Sequence, residues 1–151
     1  MRLRPLRRNR RVLTFVASFG GSSAVDPLAP GAPSLDLVAA SDTGESSTDN
    51  ITSDTTPDID IIAHEDWPWE EDDEIDIRDN GVLVVDAHVV TAGEAGGDPI
   101  SLGLSALSLG VHPLDARHRR DGHNSAWSSA LSITVVASPN KGFVGIVMRA
   151  G

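Results

Sequence analysis

The chain has 151 residues, room for one domain and two tails, and it sets 22 Asp and Glu against 12 Lys and Arg for a formal net charge of -10. Six of those cations (Arg2, Arg4, Arg7, Arg8, Arg10 and Arg11) fall within the first eleven residues, so the remainder, with 6 basic and 22 acidic residues, stands at -16 and repels nucleic acid and anionic membrane while tolerating or recruiting cations. Cysteine is absent, which excludes a disulfide framework and a thiolate metal site, and no apolar run approaches the roughly 20 residues needed to span a bilayer.

Residues 1–24 combine the arginines with a short apolar run, 12–19 (VLTFVASF), and then Gly20-Gly21-Ser22-Ser23-Ala24. That order reads either as an export signal with a small-residue cleavage site or as a disordered basic leader. Asn9-Arg10-Arg11-Val12-Leu13 is loosely similar to a twin-arginine signal. Residues 25–33 continue a stretch rich in Gly, Ser, Ala and Pro and are expected to be a linker.

From residue 34 a period of two takes over, the mark of strands with one apolar face. Leu35 and Leu37 alternate with Ser34 and Asp36; Ile59 and Ile61 with Asp58 and Asp60; Ile75 and Ile77 with Glu74, Asp76 and Arg78. Asp79-Asn80-Gly81 then supplies the positive-φ residues of a tight hairpin. Leu83, Val85, Ala87 and Val89 are expected on one face of the next strand, with Asp86 and His88 opposite. Residues 93–99 read as a loop, after which Ile100, Leu102 and Leu104 alternate with Ser101, Gly103 and Ser105. Leu114 and Ala116 share a face flanked by His112 and His118, and Leu131, Ile133 and Val135 close the set. Seven strands without a convincing amphipathic helix predict an all-β fold, a seven-stranded antiparallel sandwich of two sheets over residues 34–137. Residues 138–151 form a tail or an extra edge strand.

Several segments also resemble, in order and spacing, the Ig-like domains repeated along large bacterial surface adhesins and secreted repeat proteins. They begin with 35–57 (LDLVAASDTGESSTDNITSDTTP), continue through Asp79-Asn80-Gly81 and Val89-Val90-Thr91-Ala92-Gly93-Glu94, and end with Leu107-Ser108-Leu109-Gly110-Val111-His112, Ala116-Arg117-His118-Arg119 and Asn124-Ser125-Ala126-Trp127-Ser128. The resemblance covers about two-thirds of the chain. It departs where such domains carry an Asp-x-x-Gly-Asn turn before the last strand, since Asp121-Gly122-His123-Asn124 is a residue shorter. It implies an Ig-like sandwich at the bacterial cell surface or outside the cell, partnered by neighbouring Ig-like modules or by cell-surface protein or glycan. It also implies calcium at the junctions between modules.

Two loops carry candidate ligands. Asp42, Asp49, Asn50 and Asp54 offer the hard oxygen ligands that calcium takes; the competing reading is that these side chains satisfy loop backbone amides. Residues 64–74 (HEDWPWEEDDE) hold seven carboxylates and two tryptophans, with Trp67 and Trp69 as candidates for stacking on a sugar face; the competing reading is a solvated acidic bend with Trp67 over the sandwich end. His112 and His118 lie six residues apart, roughly 20 Å on an extended strand, too far for one ion. His112 stands where sandwich domains place a corner aromatic that bonds backbone, so a structural role is expected. No nucleophile-elbow triad, phosphate loop or zinc spacing is present in the sequence, which points to a non-enzymatic module without a cofactor other than calcium. The leading expectation is a structural spacer of an adhesin-like protein; the alternative is a calcium-stabilised binding module for a glycan or host protein.

Overall fold

A computed structural model describes residues 25–139; the leader 1–24 and the tail from residue 140 onward, with the readings made for them, lie outside the described residues. Nine strands follow in order: β1 Ser34–Leu37, β2 Ile51–Thr52, β3 Asp58–Ile62, β4 Glu74–Asp79, β5 Val82–Val89, β6 Ile100–Gly103, β7 Gly110–Arg120, β8 His123–Asn124 and β9 Leu131–Val135. They form two sheets, a three-stranded one in the order β1-β3-β6 and a larger one in the order β2-β9-β7-β4-β5, with β8 pairing β7. All seven expected segments are strands. The two additional ones, β2 and β8, are two residues long, too short to display a period of two. Pairing is antiparallel except for β2, which runs parallel to β9 with Ile51 opposite Thr134.

The core lies between the sheets. Leu37, Ile59, Ile61 and Ile100 come from the smaller sheet, and Ile75, Ile77, Leu114, Ala116 and Ile133 from the larger. Trp69, Val90 and Leu104 close it from adjoining loops. Every second residue of β3, β7 and β9 is buried, as the alternation requires. Each aliphatic side chain so enclosed contributes about 1.5–3 kcal/mol, most of it offset by the entropy of ordering the chain.

Turn chemistry sets the hairpins. Asn80 and Gly81 both adopt positive φ (49° and 85°), the pair of conformations that a two-residue turn matched to strand twist demands. Asp121 and Gly122 repeat it at 51° and 84° between β7 and β8.

The face expected for β5 is not the one observed. Opposite two residues of β4 (Ile75 to Ile77), β5 advances three (His88 to Val85), and opposite the next single step it advances two (Val85 to Leu83). Each extra residue is a bulge that reverses the alternation. Val85 therefore packs on the core while Leu83 and Val89, expected beside it, are 46% and 47% exposed. Ala87 sits at the first bulge with φ 56°.

Truncating Ile77 or Ile133, both fully buried between the sheets, to alanine is expected to cost about 2–5 kcal/mol. Leu83→Ala, on the exposed side of the bulge, is expected to cost under about 0.5 kcal/mol. Urea unfolding midpoints of the three variants check this ranking.

Candidate functional site

The Asp-rich stretch between β1 and β3, which includes the two-residue β2, is organised by its own side chains. Asp42 is buried; its Oδ2 accepts the Asn50 amide at 3.1 Å, closing the loop across eight residues, while its Oδ1 is buried without a hydrogen-bond partner. Asp49 Oδ1 accepts from the Ile51 amide at 3.1 Å, and Asp54 Oδ1 from the Thr56 amide at 2.8 Å and hydroxyl at 3.1 Å. These two are side-chain turns, a carboxylate standing in for a backbone carbonyl two residues on. Asn50 has φ 59°, and its carbonyl accepts the Thr134 amide at 2.8 Å, joining the loop to β9. Among the described residues no three His, Asp or Glu side chains gather where they could hold a metal ion.

The loop 64–74 divides its two tryptophans. Trp69 is 1% exposed and lies in the core, its ring 4.7 Å from that of His118. Trp67 is half-buried, with the Arg120 guanidinium 5.3 Å from its ring centroid. The pair expected to meet a sugar face is thus split between interior and rim. The carboxylates split as well: Asp72 is exposed, with φ 73°, whereas Asp73 turns inward and is buried.

Asp73 is the centre of a network that composition and spacing did not reveal. Its two oxygens accept from Arg120 Nε and Nη2, both at 2.7 Å, and Oδ2 also accepts the Glu70 amide at 2.8 Å. The Arg120 fork further donates to Glu70 Oε1 at 3.1 Å and to the Pro68 carbonyl at 2.7 Å. His118, fully buried, places Nε2 2.9 Å from Asp73 Oδ2 without the alignment of a hydrogen bond, and neither ring nitrogen has a hydrogen-bond partner.

On the outer face of the larger sheet β4 and β7 carry a second network. Asp76 is fully buried there; Arg117 Nε donates to its Oδ2 at 2.7 Å, Arg119 Nε lies 3.2 Å from the same oxygen, and the Ala87 amide at the β5 bulge donates to Oδ1 at 2.8 Å. Arg119 also pairs with Glu74 at 2.6 Å, and Arg78 holds Asp115 with two parallel bonds of 2.6 and 2.8 Å. Trp127 lies under the guanidinium of Arg78, 3.9 Å from its ring centroid, and 4.8 Å from that of Arg117. Arg78, Arg117 and Arg119 are all half-buried, with their guanidinium groups balanced by these carboxylates.

His112 bonds backbone as expected of a corner residue. Its Nε2 is 2.9 Å from the Ser108 carbonyl oxygen, and its Nδ1 is 2.6 Å from Asp79 Oδ2. Both partners are acceptors, so the ring is best served by carrying two protons.

The two buried histidines respond to pH with opposite sign. For His112, burial opposes the charge, but the Asp79 carboxylate and the Ser108 carbonyl outweigh it and raise its pKa. That contribution is complete below the unfolded value of about 6.5 and is lost as pH rises through the folded one. For His118, burial dominates the attraction of Asp73 and lowers the pKa; the unfolded chain then binds the proton more readily, and stability falls as pH drops below about 6.5. Burial would raise Asp73, but the bonds from Arg120 and the Glu70 amide hold it below 3.8, so its contribution is present above that pH and lost below it. His112→Gln is therefore expected to reduce the stability loss as pH rises above about 6.5 and to preserve the acid loss, measured by urea unfolding across pH. Asp73→Ala, which leaves the half-buried Arg120 with only Glu70 and the Pro68 carbonyl, is expected to cost about 2–4 kcal/mol at pH 7.

No curated protein matches the chain. A family model described as a bacterial Ig-like domain matches residues 28–135, from the turn ahead of β1 to the end of β9. With the two-sheet sandwich, its corner histidine and its paired sheet face in place, the chain belongs to the bacterial Ig-like domain family.

Proposed function

We propose that this Ig-like domain is a non-enzymatic structural spacer of a bacterial surface or secreted adhesin-like protein, set between neighbouring modules. The observation that supports the reading is where the chain enters and leaves. Residues 25–33 meet the sandwich beside β8, at the Arg120 end of β7, through Asp26 and His123. Pro139 leaves beside Thr43 and Asp49, at the Gly110 end. β7 is eleven residues long, so entry and exit are separated by about 35 Å along one strand. A module threaded from pole to pole extends a polypeptide without folding it back. Its ionisable groups fit the same role: all four arginines among the described residues, with the buried His112, are committed to internal partners. No helix of the described residues is long and apolar enough to cross a membrane.

A second reading, a calcium-stabilised binding module, is favoured by the buried, unpartnered Asp42 Oδ1 in a loop (residues 41–57) without a lysine or arginine. Its ligand would be a glycan or host protein.

Fractionation of the native host with protease shaving tests the location: accessible or secreted protein is expected, and protein confined to the cytoplasm rejects the adhesin assignment. Melting curves with calcium and with chelator test the ion. A rise of several degrees, absent in Asp42→Asn, is the calcium outcome, and superimposable curves remove that reading.

A further inference from the structure

The stretch 25–33 has the composition of a linker, yet it is built onto the domain at both of its ends. At its trailing end Pro30 and Pro33 are buried, and Gly31 lies against the imidazole of His64 so closely that an added Cβ would stand 2.3 Å from Cγ of that ring. At its leading end Asp26 starts a turn. Its Oδ1 accepts the Leu28 amide at 3.0 Å, its carbonyl accepts the Ala29 amide at 3.1 Å, and its Oδ2 reaches His123 Nδ1 at 2.6 Å, across 97 positions of sequence. Between strap and body, bounded by Val25, Asp26, Ala29 and Pro30 on one side and by Asn124 and Ser125 on the other, runs an open cleft of about 490 Å³. Packing fixes the trailing end. Beyond the local turn, the leading end has one polar tie to the body among the described residues, an ion pair whose imidazole keeps a third of its exposure.

We infer that residues 25–33 form a strap over this cleft, that Asp26 and His123 are its clasp, and that loss of the imidazole proton loosens it, freeing Val25 and Asp26 from the body of the domain. Imidazole is the side chain whose charge changes between about pH 5 and 8. When protonated it donates to a carboxylate as an ionic pair; when neutral it offers at most a neutral hydrogen bond, about half as strong. Asp26 is suited to its part: the Leu28 amide, with the His123 bond, holds its pKa below the usual carboxylate value, so it stays ionised on the acidic side where the histidine is charged. The other charged groups around His123 do not replace that partner. Arg120 is opposite it on β7, but its guanidinium is engaged by Asp73, Glu70 and the Pro68 carbonyl. Asp121 is in the turn two residues earlier and is exposed. The clasp is therefore stronger with the imidazole charged than with it neutral. This inference concerns the strap alone and holds for a spacer and for a binding module alike.

Because the chain lacks cysteine, a single Val25→Cys substitution carries one nitroxide on the full-length protein. Its paramagnetic broadening of the Asn124 and Ser125 amide signals reads the closed strap. Closed-to-open ratios are expected to fall about two- to fivefold from pH 5.5 to pH 8.5, the range an exposed ion pair commands. His123→Gln and Asp26→Asn, both at surface sites that leave the core intact, are expected to show the open ratio at pH 5.5 and no response to pH. The exchanged pair Asp26→His with His123→Asp is expected to restore both. Broadening that is the same at the two pH values, or the same in His123→Gln as in the parent at pH 5.5, overturns the clasp.

Discussion

The register between β4 and β7 is the constraint from which the rest of the domain follows. With Ile75 opposite His118 and Ile77 opposite Ala116, the inner face of the larger sheet is sealed against Ile59 and Ile61 of the smaller one. The same register sets Glu74 opposite Arg119, Asp76 opposite Arg117 and Arg78 opposite Asp115, so each cross-strand pair on the outer face joins opposite charges. A slip of one residue would turn Ile75 and Ile77 outward and carry Asp76 into the core. Hydrophobic burial and charge pairing therefore select the same alignment. That agreement matters for a strand pair so distant in sequence, because non-local pairing must be specified by the side chains themselves.

Burying charge in this way carries a cost that only complete pairing offsets. Asp76 is enclosed by two guanidinium groups and the Ala87 amide, and that amide is in position because β5 bulges there. The bulge thus does two things. It supplies a donor to a buried carboxylate, and it interrupts the edge of the larger sheet, where Val82, Leu83 and Val89 are exposed. An even edge strand with that composition would invite pairing with another chain; two bulges in eight residues spoil the template. His118 shows the other side of the cost: neither of its buried ring nitrogens makes a hydrogen bond, and burial outweighs the pull of Asp73 and lowers its pKa.

With the β4 and β7 charges matched, chemistry open to other molecules is displaced to the loops. The 41–57 loop has no cation of its own, and its carboxylates divide between turn-making amides and the buried Asp42. The 25–33 strap lies at the other pole. The spacer role proposed above calls for such a division, a paired middle between two ends whose chemistry decides how adjoining segments are held.

Much of this was written in the sequence. A period of two in β1, β3, β4, β6, β7 and β9 set the strands, and Asn80-Gly81 set a hairpin, because apolar burial and positive φ are properties of single residues and their near neighbours. Even the corner role of His112 was legible from its place at the start of β7. What the sequence did not disclose depends on pairs. The face of β5 required knowing where β4 forces a bulge; the burial of Asp73, Asp76 and Trp69 required knowing which arginine and which histidine approach from 41 to 49 residues away. Opposite charges at every second position of β4 and β7 were a usable signal, but one that acquires meaning only when the two strands are laid side by side. The His123 contact to Asp26 is the extreme case, since no local pattern joins residues at opposite ends of a domain. Single-residue propensity decided which segments are strands; the three-dimensional register decided which charges are inside, because burial of an ion is affordable only where a particular partner meets it.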